Sequence, residues 1–183
     1  MFRLIIIFWV LVNPTLNAQH TYVVEDTPGN VSFSIRNFGL NVRGDFSNIT
    51  GKARFDPHHS TNSSFEVSIP VKTISTGIAL RDKHLLKEDY FYAQKHPVIR
   101  FISETVNAGD EEDLWILQGR LSIKGVTKSV TIPLRVKLLH DNQLHFSSEF
   151  KLNRIDFGVG GRSLSLSDEV TAIVNVVASQ QAP

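Results

Sequence analysis

The chain has 183 residues, enough for one domain, with 19 Lys and Arg against 18 Asp and Glu and no cysteine. The charge balance provides no general attraction to nucleic acid or to an anionic membrane. The lack of cysteine excludes a thiolate nucleophile, thiolate metal ligands, an N-terminal lipid on cysteine and a disulfide framework, so the core must suffice.

In chain order, the first stretch is "MFRLIIIFWVLVNPTLNA". It has an early charge at Arg3, an apolar run from Leu4 to Val12, then Pro14 and a small residue at Ala18. This is the layout of a secretory signal peptide. The run is shorter than the roughly 20 apolar residues that cross a bilayer. A buried N-terminal strand is the alternative. The expectation is a signal peptide over residues 1–18 and one domain over residues 19–183, with Leu16 leaving the cut site open. Removing Arg3 and no acid leaves 18 basic against 18 acidic residues, a formally neutral mature chain. Its expected setting is the bacterial periplasm or the medium, with no stable membrane span after cleavage.

Period-two alternation dominates from there on. "VSFSIR" puts Val31, Phe33 and Ile35 on one face, and "VRGDF" groups Val42, Gly44 and Phe46. "FEVSIPVK" sets Phe65, Val67, Ile69 and Val71 against Glu66, Ser68, Pro70 and Lys72. "IRFISET" aligns Ile99, Phe101 and Ser103, and "WILQGRLSIK" aligns Trp115, Leu117, Gly119, Leu121 and Ile123. "VTIPLRVKL" gives Val130, Ile132, Leu134, Val136 and Leu138. "LHFSSEFKLN" gives Leu144, Phe146, Ser148, Phe150 and Leu152, and "VTAIVNVVA" gives Val170, Ala172, Val174, Val176 and Ala178. Turn signals at 27–30, 48–51, 56–64, 107–113 and 140–142 separate the runs. No βαβ rhythm appears, so the sheet is expected to be antiparallel. Nearly every strand has an apolar face and no row of helices covers it. A two-sheet sandwich and a closed barrel both solve that problem. The inward glycines Gly44, Gly51 and Gly119 favour the barrel, whose strands must bend at corners.

"TGIALRDKHLLKEDYF", from Thr76 to Phe91, breaks the alternation. Leu80, His84 and Leu85 recur at roughly helical spacing, which predicts short helical turns over Leu80–Glu88 and an irregular turn through Tyr90–Pro97. Pro97 disfavours a helical conformation at His96. The segment is expected to cross one end of the barrel with its leucines and Phe91 turned inward. Arg81 and Asp82 then hold the crossing through charge-assisted bonds, meet a ligand head group, or act with His84 as catalytic groups.

Chemistry is otherwise sparse. The histidines are His20, His58, His59, His84, His96, His140 and His145, without the helical spacing that puts two ligands on one face. No metal or cofactor is expected. "FGVGG" (157–161) lacks the following helix that a phosphate loop needs, so it reads as a turn or bulge. No G-x-S-x-G is present, and the carboxylates at 110–113 and 168–169 read as a solvated turn and a strand opening.

Five stretches in order carry a resemblance. "FSIRNFGLNVRGDFSNITGKARFDP", "TISTGIALRDKHLLKEDYFYAQKHPVIRFIS", "GRLSIKGVTKSVTIPLRV", "NRIDFGVG" and "SDEVTAIVNVVA" together resemble the YceI-like family over nearly all of residues 20–178. The resemblance implies an all-β, antiparallel, lipocalin-like barrel of about eight strands with one or two short helices capping one end. It also implies an exported, stress-associated, non-enzymatic protein whose barrel holds a polyisoprenoid or similar lipid. The inward residues expected to meet such a ligand are Phe33, Ile35, Phe46, Val67, Ile69, Phe101, Trp115, Leu117, Leu121, Ile132, Leu134, Phe146 and Phe150, with Arg81, Asp82 and His84 at the cap or head group. The same residues are also compatible with a filled core in a structural or partner-binding barrel. An enzyme using Arg81, Asp82 and His84 is the other alternative, and a homodimer is compatible with either binding reading.

Overall fold

A strand with one apolar face has to bury it, and here the sheet does so by closing on itself. The computed structural model describes residues 20–27, 29–56, 60–139 and 142–181. Its strands are β1 (His20–Val24), β2 (Val31–Asn37), β3 (Leu40–Phe46), β4 (Thr50–Phe55), β5 (Ser64–Pro70), β6 (Val98–Ala108), β7 (Leu114–Ile123), β8 (Val126–Leu138), β9 (Gln143–Asn153) and β10 (Leu166–Gln180). Among the described residues the helical elements are α1 (Ala79–Leu85) and 3₁₀ turns at Ser60–Asn62, Val71–Thr73 and Arg154–Phe157. The signal peptide expected over residues 1–18, and His58, His59 and His140, lie outside the described residues.

The hydrogen-bonded order β1-β4-β5-β6-β7-β8-β9-β10 returns from β10 to β1, a closed ring of eight antiparallel strands. The barrel is therefore realised and the sandwich is not. β10 is long enough, at 15 residues, to serve two partners on the edge opposite β9. Ala178–Gln180 pair with β1 and Val170–Val174 pair with β2. The β2–β3 hairpin thus continues the wall beyond the end of β1. Its free edge is fixed where Asp45 and Ser75 exchange backbone hydrogen bonds of 2.8 and 2.9 Å. The ring of eight contains β1 and β4, which alternation did not reveal, and leaves β2 and β3 as the two additional strands. β1 is only five residues long with one buried side chain, Tyr22, and β4 has Gly51 at an inward position, so neither shows a full apolar face.

One end of the ring is plugged by aromatic side chains. Phe55 meets Trp115 edge-on at 5.0 Å, and Phe65 meets Phe146 edge-on at 5.5 Å, the geometry that aligns ring edges with the negative faces. The other end is crossed by α1, one residue earlier than predicted at its start, followed by turns up to Pro97.

The wall bends where β6 carries an extra residue opposite β7, between Ser103 and Thr105. The inward phase shifts there from Ser103 to Val106, which is buried. Gly119 faces this bulge. A Cβ on it would lie 2.4 Å from the Ile102 carbonyl oxygen and 2.8 Å from the Phe101 ring. Gly119→Ala is expected to lower unfolding stability by about 1–3 kcal/mol, the usual cost of overpacking, measured by urea titration.

Burial also raises the Tyr22 phenol above its ordinary pKa of 10.0. The unfolded chain therefore ionises Tyr22 first on going alkaline, and the folded state retains the proton. This contribution is intact below about pH 10 and is lost as pH rises through the folded value. The stability difference between wild type and Tyr22→Phe is expected to be flat to about pH 9 and to move against the wild type above it, in denaturant melts across pH.

Candidate ligand cavity and its mouth

Above the aromatic plug the inward side chains do not meet across the barrel. They enclose a cavity of about 600 Å³, within the roughly 300–1,000 Å³ range of small-molecule sites. Phe33 and Ile35 of β2, Phe46 of β3, Val67 and Ile69 of β5, Phe101 of β6, Leu117 and Leu121 of β7, Ile132 and Leu134 of β8, and Phe146 and Phe150 of β9 all line it. Trp115 does not; it sits below the cavity floor, against Phe55, as part of the plug. β10 adds Val170, Ala172, Val174 and Val176, inward positions that were not assigned to the site from the sequence. Ser148 is one of the few polar groups on the wall, and its hydroxyl is already committed to the Pro133 carbonyl at 2.5 Å.

The cap is built on one residue, Thr76. Asp82 accepts from the Thr76 backbone N–H at 2.8 Å and from its hydroxyl at 2.5 Å. Arg81 donates from Nε to the Thr76 hydroxyl oxygen at 2.7 Å and from a terminal nitrogen to the Thr76 carbonyl at 2.8 Å. These bonds close the start of α1 back onto Thr76, the residue after the Asp45–Ser75 bridge, through Asp82 Oδ1 and through Nε and one terminal nitrogen of Arg81. His84 points elsewhere and packs edge-on against Tyr90 at 5.0 Å. Arg81, Asp82 and His84 are thus neighbours in sequence whose side chains bond to Thr76 or pack on Tyr90 and not to one another. Arg81 and His84 nonetheless line the cavity mouth, where Leu85, Leu86 and Phe91 pack against the core as expected; Leu80, also expected to turn inward, stands at the outer lip and is largely exposed.

The described histidines outside the cap have structural partners. His20 bonds Gln180 at 2.6 Å and His145 bonds Asn175 at 2.5 Å, while His96 packs against Tyr92. Among the described residues no cluster of His, Asp and Glu could hold a metal ion. Glu111 and Asp113 both bind Arg135, at 2.9 and 2.6 Å, on the surface. The Glu111 hydrogen bond, with the charge of Asp113 behind it, raises the Arg135 pKa further.

One buried charge was not singled out from the sequence. Arg154, only 5% exposed, follows β9 and reaches the upper cavity wall. Its guanidinium donates to the carbonyls of Ser167 (2.8 Å), Val159 (2.9 Å) and Leu166 (3.3 Å), and pairs with Asp168 at 3.2 Å. The turn "FGVGG" wraps around this group. Gly158 and Gly160 adopt φ of 67° and 69°, and a side chain on Gly160 would run into Arg154 and Tyr90. The turn is a guanidinium cradle closing the wall between β9 and β10, not an anion loop.

A closed antiparallel barrel with a plugged floor, an apolar cavity and a helical turn across its mouth defines a calyx-type protein. The chain belongs to the YceI-like domain family, whose match covers residues 22–178. It is 37% identical over 126 residues to a UPF0312 protein of Shewanella denitrificans, covering 67% of this chain and 65% of that protein's length. It is 31% identical over 158 residues to Protein YceI of Escherichia coli O157:H7, covering 82% and 81% of the two chains. Two solved structures share the fold. Burkholderia cenocepacia BcnA superposes with a TM-score of 0.78 at 22% identity, over 87% of this chain and 96% of its own. A polyisoprenoid binding domain from Saccharophagus degradans, implicated in plant cell wall breakdown, superposes with a TM-score of 0.70 at 12% identity, over 87% and 98%.

Proposed function

We propose that this protein holds a long apolar chain of the polyisoprenoid class in its barrel, as an exported carrier or store rather than as a catalyst. The observation that carries this reading is the cavity. Its wall is predominantly apolar, with side chains from every strand of the ring, and about 600 Å³ lies between the aromatic floor and α1. At about 30 Å³ per carbon-sized group, comparable to the space of a water molecule in the liquid, it takes about 20 such groups. That is about four isoprene units, so a longer chain would extend through the mouth. Burial at about 0.8 kcal/mol per CH₂ gives a gross gain of about 16 kcal/mol, offset by the ordering of the chain and the loss of its free motion. The fold shared with a polyisoprenoid binding domain supports the ligand class. The engagement of Arg81 and Asp82 with Thr76 supports binding without chemistry. Export rests on the signal-peptide layout of residues 1–18.

The test is extraction. Protein purified from cell envelopes or medium is treated with organic solvent and the extract examined by mass spectrometry. A ladder of masses spaced by one isoprene unit is the expected result. An extract without any lipid, from protein that also fails to bind added polyprenols, would sink the proposal.

A further inference from the structure

Three separate segments put large apolar side chains into solvent around the cavity mouth. Phe38 (81% exposed) and Leu40 (73%) form the tip of the β2–β3 hairpin. Ile78 (52%) and Leu80 (80%) lie at the start of α1, and Leu164 (111%) lies in the turn before β10. They belong to one rim. The Phe38 N–H donates to the Ser165 carbonyl at 2.9 Å, joining the hairpin tip to the turn. Ile78 and Leu80 line the same cavity as Asn37 and Leu166, the residues next to the other two segments. Isolated exposed apolar residues are ordinary, but several gathered around one opening are not.

The charges on these segments are one-sided. Stretches 36–43, 77–83 and 161–166 contain Arg36, Arg43, Arg81, Lys83 and Arg162 against one acid, Asp82, five minus one. Arg36, Arg43, Lys83 and Arg162 form no ion pair among the described residues. Asp82, in contrast, is committed to Thr76. The rim is therefore locally basic on a chain whose overall charge is only +1.

We propose that this rim docks the mouth onto an anionic lipid surface. Exposed apolar side chains flanked by cations match the interfacial zone of a bilayer, where apolar groups enter the acyl boundary and cations meet anionic head groups. A second copy of the chain fits less well, because a two-fold contact would set the same unpaired cations against each other. The purpose of the docking, transfer of a chain between bilayer and barrel, rests on the function proposed above; the surface itself does not.

The experiment is co-sedimentation of the mature protein with vesicles of phosphatidylcholine containing phosphatidylglycerol, and with phosphatidylcholine alone. Wild type is expected to sediment with the anionic vesicles and to be released by high salt. The double variant Phe38→Glu/Leu164→Glu is expected to bind them at least ten-fold more weakly. Its melting temperature and its binding of a soluble apolar fluorophore should be unchanged, since both side chains point into solvent. Wild type remaining in the supernatant would overturn the proposal. So would equal sedimentation of the variant, or a variant that loses only a wild-type dimer in light scattering. Protein that docks but yields no lipid on extraction loses the carriage reading and retains the docking surface. Protein that yields lipid but ignores vesicles does the reverse.

Discussion

Ala172→Trp protein is expected to carry at least ten-fold less extractable lipid than wild type while melting at an equal or higher temperature. Ala172 is a small inward residue on β10, paired across the sheet with Phe150 on one side and Phe33 on the other, and it faces the cavity. An indole there occupies the space of about nine carbon-sized groups, close to half of the roughly 20 that the cavity holds. At about 0.8 kcal/mol for each displaced CH₂, the gross loss of ligand burial is about 7 kcal/mol. Only about 1.4 kcal/mol is needed for a ten-fold effect. The indole also fills space, so the free protein gains packing where it had little. Mass spectrometry of extracts and thermal melts read the two effects separately. Unchanged lipid content would place the lipid outside the barrel.

Arg154→Met is expected to cost about 3–5 kcal/mol of stability, a drop of about 6–20 °C in melting temperature. The loss has two parts. The carbonyls of Val159, Leu166 and Ser167 lose their donors, and Asp168 loses its cation. A buried acceptor left without a partner costs about 1–3 kcal/mol. Arg154→Lys is expected to recover little, because an ammonium cannot span a fan of four acceptors. Asp168→Asn retains an acceptor and is expected to cost less than Arg154→Met. Calorimetry of the three variants checks the order, and a milder effect at Arg154 than at Asp168 would refute the cradle as the wall's fastening.

Much of this architecture is legible in the alternation, because period two states which residues face inward. Even Arg154 and Asp168 were visible in that way. Arg154 continues the phase of Phe150 and Leu152, and Asp168 continues that of Val170 and Ala172. Since the ladder pairs Val170 with Leu152, the two charges are brought together by register alone. Three things were hidden for physical reasons. β1 is too short to show a pattern, although it completes the ring. The bulge after Ser103 shifts the phase without a glycine or proline to mark it, so Val106 was missed. The distance between facing walls depends on how many strands close the ring, which no single strand encodes. Inward residues such as Leu134 and Phe150 would read the same in a solid core.

The two partnerships of β10 also govern the order of assembly. Ring closure joins Tyr22 to Gln180, a separation of 158 residues, so no earlier part of the chain is able to shut the barrel. Until β10 emerges, the sheet has an open edge along β9, and the β2–β3 hairpin has no strand to join on the outer edge of β2. A topology dominated by such long-range pairs folds slowly compared with one built from local contacts. Under the export proposed above, that delay is useful: a polypeptide that is still unclosed is able to pass through a narrow channel, and the calyx forms only once its last strand is free to pair.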